Sequence, residues 1–179
     1  MIGVLAIPAK ALDPQKRISQ FTHTSWTAKD GVPGPVRAIA QTPDGYLWLG
    51  TGAGLYRFDG LHFVAWEPSS GEQILVSSVL SLCTSRDGSL WIGFSSGGIS
   101  QLRHGHLKNY SHADGVPDGG ILSIVEDGNG SIWAGGQYGL TKLDSGRWRQ
   151  VGAESAYPAP GAQVLFVDRE RGKIGRAHV

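Results

Sequence analysis

Short apolar runs alternate with turn-forming residues along most of this chain. Four such runs fall between Val36 and Trp66. Val36 to Gln41 alternates and is flanked by Pro35 and Pro43. Tyr46 to Thr51 carries Leu47, Trp48 and Leu49, Leu55 to Phe58 follows a Gly-rich corner, and His62 to Trp66 closes the unit. Runs this short, rich in aliphatic and aromatic residues and bounded by Gly, Pro or Asp, predict strands. Asp44-Gly45 and Asp59-Gly60 predict two-residue hairpin turns, because Gly accepts a positive φ at little cost. No run with helical period separates the strands, so a parallel βαβ sheet is disfavoured. The unit predicts a four-stranded antiparallel meander.

The pattern then repeats. Asp44-Gly45-Tyr46-Leu47-Trp48 returns as Asp87-Gly88-Ser89-Leu90-Trp91 and again as Asn129-Gly130-Ser131-Ile132-Trp133. The tryptophans at 48, 91 and 133 are 43 and 42 positions apart. A period of roughly 40 to 45 residues built of short strands marks the blades of a β-propeller. One such sheet cannot cover both its faces, so stacked repeats must share a core. Leu47, Leu90 and Ile132, with Trp48, Trp91 and Trp133, are the expected inter-blade core. A ligand-stacking role for the tryptophans is the weaker reading, since a binding residue need not recur in every blade.

The second blade is expected over Val79 to Tyr110 and the third over Ile121 to Val151, while Val164-Leu165-Phe166-Val167 begins a fourth. Ile18 to Trp26, followed by Asp30-Gly31-Val32-Pro33, matches the end of the second repeat, Leu107 to Tyr110 with Asp114-Gly115-Val116-Pro117. It therefore predicts the outermost strand of a preceding blade. The fold class is all-β: an incomplete β-propeller of about three four-stranded antiparallel blades, an N-terminal outer strand and the start of a fourth blade. Propellers close with roughly four to eight blades, so residues 12–172 read as part of a longer ring.

The ends read differently. Residues 1–11 are apolar and finish in Ala9-Lys10-Ala11, which fits the remnant of a secretory signal peptide. Lys173-Ile174-Gly175-Arg176-Ala177-His178-Val179 replaces the expected turn and Leu-Trp pair. It looks like one reading frame of a sequencing-library adapter, so residues 173–179 are excluded from the fold reading. The connections Glu67 to Ile74 and Gly152 to Gly161 are rich in Pro, Ser, Gly and Ala and should share one face of the ring. Loops of that kind often carry binding residues.

Composition narrows the function. The 179 residues carry a net charge of +1, include 27 Gly, and are 17% charged. Near-zero charge without a basic run argues against nucleic acid as a partner. No run of 18 apolar residues is present, so membrane attachment would need a helix outside this sequence. Cys83 is the single cysteine. It stands in register with Ala40 and Val125 and reads as a small core residue rather than a reactive thiol.

Several motifs invite chemistry and are outweighed. Gly93-Phe94-Ser95-Ser96-Gly97 matches G-x-S-x-G, but a nucleophile elbow needs a strand-turn-helix context, and here the pentapeptide aligns with a hairpin. His104, His106 and His112 are close in sequence, yet a zinc site needs three or four converging ligands. Asp127-Gly128-Asn129-Gly130-Ser131 resembles the start of a calcium loop but has Ile132 where that loop needs Gly. It reads better as a turn held by side-chain to backbone bonds. Arg37, Arg57, Arg103, Arg147 and Arg149 read as solvated strand faces and cross-strand pairs. No catalytic, cofactor-binding or metal-binding residue is assigned, and the ligand-binding residues are unassigned.

The repeat resembles the two-component-regulator propeller family. The resemblance rests on Trp26, Asp30-Gly31-Val32-Pro33, Val36, Ile39, Gln41, Asp44 to Thr51, Gly54-Leu55 and Arg57-Phe58-Asp59-Gly60. It covers about residues 12–172 in three tandem copies. The third copy departs from it with Asn129 in place of Asp and Ala134 in place of a larger aliphatic. The resemblance implies the periplasmic sensor region of an inner-membrane protein, in which paired seven-bladed propellers are followed by a β-sandwich, one membrane helix and a cytoplasmic histidine kinase or diguanylate cyclase. It further implies a homodimeric parent, a phosphorelay and a small ligand; Arg beside aromatics would suit an acidic or carbohydrate ligand, though nothing marks a particular set. This chain itself would carry no enzyme. The alternatives are a propeller lyase, which would need His and Glu converging on a central channel, and an extracellular interaction scaffold.

Overall fold

Each turn of the first repeat is set by a side chain that bonds its own backbone. Gly45 N–H donates to the Thr42 carbonyl at 2.9 Å, so Pro43 and Asp44 occupy the corners of a β-turn and Gly45 follows it with φ 91°. Proline's fixed φ suits the first corner. The Asp44-Gly45 turn is thus longer than the expected two residues. Asp59 Oδ1 accepts from the N–H groups of Leu61 and His62, each at 2.7 Å, and Phe58 pairs with Phe63, so that connection holds four residues. Two-residue turns with both residues left-handed occur instead at His104-Gly105 and Ser145-Gly146.

The computed structural model describes residues 24–68, 74–75, 78–152, 161–168 and 173–177. The first sheet runs β1 (Val36–Gln41), β2 (Leu47–Thr51), β3 (Gly54–Phe58) and β4 (Phe63–Ala65). The second runs β5 (Val79–Thr84), β6 (Leu90–Phe94), β7 (Ile99–Arg103) and β8 (His106–Tyr110). The third runs β9 (Ile121–Glu126), β10 (Ile132–Gly136), β11 (Gly139–Asp144) and β12 (Arg147–Val151). A two-stranded sheet of β13 (Val164–Asp168) and β14 (Lys173–Ala177) follows. Each is an antiparallel meander in chain order. Part of the C-terminal stretch set aside in the sequence reading supplies β14, which pairs with β13 from Val164↔Ala177 to Asp168↔Lys173. The strand expected over 18–26 lies outside the described residues except for Thr24–Trp26, which form no strand. Residues 1–11, expected to be a signal remnant, and most of both long connections also lie outside them.

The first strand of each sheet lies beside the first strand of the next, β1 by β5, β5 by β9 and β9 by β13. The sheets therefore succeed one another around a shared centre, as propeller blades do. One core cluster joins sheets one and two through Trp48, Leu55, Val79, Leu90, Ile92 and Phe94. A second joins sheets two and three through Trp91, Ile99, Tyr110, Ile121, Ile132 and Trp148. The alternation of the second strand explains this. The Leu or Ile before each Trp faces the preceding sheet, and the Trp faces the next. Leu47 is only half-buried, because no described sheet precedes the first. Trp133 is half-buried too, since the sheet beyond it has two strands.

The glycine two residues after each Trp is a packing requirement. A Cβ on Gly50 would sit 2.5 Å from Val79 Cγ1, and one on Gly93 would sit 2.8 Å from Ile121 Cγ2. A side chain there would hold the sheets apart. The central hairpin of the second sheet is one residue longer than that of the first: Gly93 pairs with Ile99 where Gly50 pairs with Leu55.

Candidate functional site

Six residues before each repeated Trp stands a polar residue that takes its indole proton. Trp48 Nε1 donates to Thr42 Oγ1 at 2.8 Å, and the Thr42 hydroxyl donates to Asp44 Oδ1 at 2.5 Å. Trp91 Nε1 donates to Ser85 Oγ at 3.1 Å, and that hydroxyl donates to Asp87 Oδ1 at 2.6 Å. Trp133 Nε1 donates straight to Asp127 Oδ2 at 2.9 Å. Burial acts to raise the Asp127 carboxyl, but the bonds from the Trp133 indole and from the Ser131 and Asn129 N–H groups, with the Lys142 charge, hold it below the usual carboxylate range. Asp87 is likewise lowered overall: burial opposes the shift, and bonds from Ser85 and Ser89 and the Arg103 charge outweigh it. These carboxylates are therefore ionised parts of the turns. The segment 127–131 is held as a turn by Asp127 Oδ1, which accepts from Asn129 N–H at 2.8 Å and Ser131 N–H at 2.9 Å.

These turns and the hairpins between third and fourth strands share one end of the sheets. There a cleft of about 460 Å³ opens between sheets one and two. Trp48, Trp66, Leu90 and Leu102 line its apolar part. Trp48 and Trp66 meet edge to face with centroids 5.9 Å apart. Asp44, Arg57, Asp87 and His104 line its polar part. The Arg57 guanidinium lies 4.2 Å from the centroid of the Tyr46 ring. Asp87 pairs with Arg103 at 3.5 Å. This cleft lies at the opposite end from the long connections. An apolar pocket with a few polar groups at its rim is the general form of a small-molecule site.

The residues weighed from the sequence are dispersed. Gly93 to Gly97 forms a hairpin between β6 and β7, with no helix after Ser95. His104 occupies a left-handed turn position with φ 48°. His104 and His106 border a second hollow of about 400 Å³ with Arg103 and Lys108. His112 instead pairs with Asp118 at 3.2 Å on the surface. Among the described residues, no three of His, Cys, Asp or Glu converge as metal ligands. Arg149 pairs with Asp144 at 3.0 Å within the third sheet. Cys83 is half-buried against the second core cluster, and burial pushes its thiol up to about 11.

Sequence reasoning missed two features. Arg86 ties sheet two to sheet three: its Nε lies 3.2 Å from Glu126 Oε2, its backbone N–H donates to the same oxygen at 2.9 Å, and its Nη2 donates to the Asp127 carbonyl. Short 3-10 turns at Ala28–Asp30 and His112–Asp114 precede Gly31-Val32-Pro33 and Gly115-Val116-Pro117. Asp30 Oδ2 accepts from the backbone N–H of Thr27 at 2.7 Å, and Asp114 Oδ2 from that of Ser111 at 2.8 Å, so each acid caps its turn. That pattern, a hydroxyl residue followed three positions later by an acid, was present to be read.

Residues 30–53 and 115–138 match the family model described as two component regulator propeller. Both segments run from a 3-10 turn through the first two strands of a sheet. No curated protein matches the sequence. Among solved structures, the extracellular domain of the hybrid two component system BT3049 from B. thetaiotaomicron aligns with TM-score 0.69 and 21% identity over 83% of this chain and 21% of that one. That of BT4673 from the same organism aligns with TM-score 0.66 and 23% identity over 82% of this chain and 21% of that one. Virginiamycin B lyase from Staphylococcus aureus aligns with TM-score 0.55 and 18% identity, over 74% of this chain and 44% of that one. The chain thus spans about a fifth of the two-component structures it resembles, and at these identities the likeness is one of fold. The chain has the all-β, propeller-like fold of these structures, and two of its segments match the two component regulator propeller model.

Proposed function

We propose that this chain is part of a ligand-sensing propeller outside the cytoplasmic membrane, in a transmembrane two-component signalling protein. The two matched repeats carry this reading, and the fold shared with extracellular domains of hybrid two component systems supports it. A small ligand, acidic or a carbohydrate, would be held by the propeller of a homodimeric parent. By binding one arrangement of the dimer more tightly than another, it would bias a cytoplasmic kinase or cyclase. Among the described residues no helix is long and apolar enough to cross a membrane, so that part of the protein would lie elsewhere in it.

The lyase reading draws only on fold likeness. Among the described residues the histidines stand on turns, connections and the outer strand β8, and Glu126 on the inner strand β9 is held by Arg86. Among the described residues no His–Glu pair faces a common centre. Fusions in the source gene test the proposed placement. Alkaline phosphatase joined after Val151 should be active and β-galactosidase joined there inactive; the reverse pattern would place the propeller in the cytoplasm and defeat the reading.

A further inference from the structure

The outer hairpins of the three four-stranded sheets differ in charge. Asp59 in the first, Arg103 in the second and Asp144 in the third hold the same place at the end of the third strand. In the first and third hairpins that acid meets a base of its own hairpin. Asp59 Oδ2 lies 3.5 Å from His62 Nδ1, and Asp144 Oδ2 lies 3.0 Å from Arg149 Nε. The second hairpin, from Ile99 to Tyr110, contains no acid at all. It carries Arg103, His104, His106 and Lys108 instead.

The strand register gathers these groups. Arg103 pairs with His106 and Gln101 with Lys108, so these four share one face of the hairpin, while Leu102 and Leu107 on the other face join the core. His104 stands at the tip in a left-handed position, with φ 48°. Together with Leu107 they line the hollow of about 400 Å³, and among the described residues no acid lines it. The Lys108 ammonium is placed there over the Tyr110 ring, 4.7 Å from its centroid.

Two acids neighbour the hairpin without neutralising it. Asp87 Oδ2 lies 3.5 Å from Arg103 Nη1, with both side chains about half exposed, and an exposed pair of that kind holds weakly. Asp114 Oδ2 already accepts from the N–H and the hydroxyl of Ser111, and the charges of both Lys108 and Arg147 act on this one carboxylate. The fork of Arg103 and the point charge of Lys108 thus approach the hollow from two strands, beside two imidazoles that can donate. A carboxylate offers such a set one charge and two oxygens, whereas a phosphate offers nearly two charges and three oxygens in different directions. We propose that this hollow binds a phosphate dianion, free or as the monoester end of a small ligand. The inference rests on the geometry of the hairpin and stands whether or not the parent protein signals.

Isothermal titration calorimetry on the full chain in phosphate-free buffer tests it, with inorganic phosphate, glycerol 3-phosphate and acetate as probes. Inorganic phosphate or glycerol 3-phosphate should bind saturably and at least about tenfold more tightly than acetate, and the tighter of the two names the source. Arg103→Asp, which restores the acid of the other two hairpins, should keep the fold and weaken that probe at least about tenfold. If Arg103→Asp does not fold, Arg103→Gln serves in its place with the same expected loss. Lys108→Gln should weaken the probe at least about threefold, while Arg149→Gln, at the same place in the third sheet, should leave it within about twofold. Absence of saturable binding, acetate bound as tightly as phosphate, full affinity in a folded Arg103 variant, or an equal loss in Arg149→Gln and Lys108→Gln would each overturn the proposal.

Discussion

Trp133 donates its indole proton to the carboxylate of Asp127 at 2.9 Å, and in that one bond the third sheet does with a single residue what the first two do with a pair. There a hydroxyl, Thr42 or Ser85, sits between the indole and the carboxylate of Asp44 or Asp87. In the third sheet the carboxylate has moved two positions upstream, and Asn129 stands where the acid would be. An acid at 129 would place a second negative charge beside Asp127.

This exchange predicts coupling. Asn129→Asp should destabilise the protein by about 1 kcal/mol through like-charge repulsion, and Asp127→Ser by a similar amount through a weakened bond to the indole. The double variant restores the pattern of the first two sheets and should lie within about 0.5 kcal/mol of the wild type. Urea unfolding of the four proteins measures the cycle. Additive losses would show that the two positions do not communicate.

Acid should unfold the protein through these same groups. The Asp87 and Asp127 carboxyls lie below their ordinary value of 3.8 when folded. A group lowered in this way contributes stability above its unfolded pKa and loses it as pH falls through the folded value. Stability should hold from neutral pH down to the ordinary carboxylate value of 3.8 and decline below it. Asp127→Asn should flatten that decline. An unchanged acid slope in the variant would remove Asp127 from the account.

Much of this architecture is legible in the sequence, for physical reasons. Trp48, Trp91 and Trp133 and the Gly two positions after each cannot vary freely, because one fills the inter-sheet space and the other admits the next sheet's first strand. The turn type was misread at Asp44-Gly45 because Pro43 takes the first corner of the turn and moves Gly45 out of it. The Arg86–Glu126 link could not be read, since it joins residues 40 positions apart. The cleft was illegible for a related reason. It brings Trp48 and Trp66 of the first repeat together with Leu90 and Leu102 of the second, and no local pattern shows that they meet.

The glycine that follows each Trp predicts a graded effect. Gly93→Ala meets Ser81 Oγ and Ile121 Cγ2 on adjoining inner strands and should cost about 1–3 kcal/mol by overpacking. Gly45→Ala meets nothing within 4 Å and is penalised only by its φ of 91°, worth about 1–2 kcal/mol. Thermal unfolding should therefore drop at least as far for Gly93→Ala as for Gly45→Ala. A neutral Gly93→Ala would mean that sheets two and three do not approach as closely as described.

Cys83 offers a simple probe of the same packing. Burial, with a smaller push from the Glu126 charge, raises its thiol from 9.0 to about 11. At pH 8 the folded protein should carry on the order of a hundredfold less thiolate at this position than the unfolded chain, and should react with a disulfide reagent correspondingly more slowly. Equal rates in buffer and in denaturant would show Cys83 to be open.

The most direct measurement of the central claim is a contiguous read of the source gene through and beyond codon 172. A sensor propeller predicts further repeats with Leu-Trp turns, then one membrane helix, then a histidine kinase or diguanylate cyclase domain. A ring that closes after one set of blades, followed by a stop codon with no membrane helix, would contradict the signalling reading and leave an enzyme or a scaffold in its place.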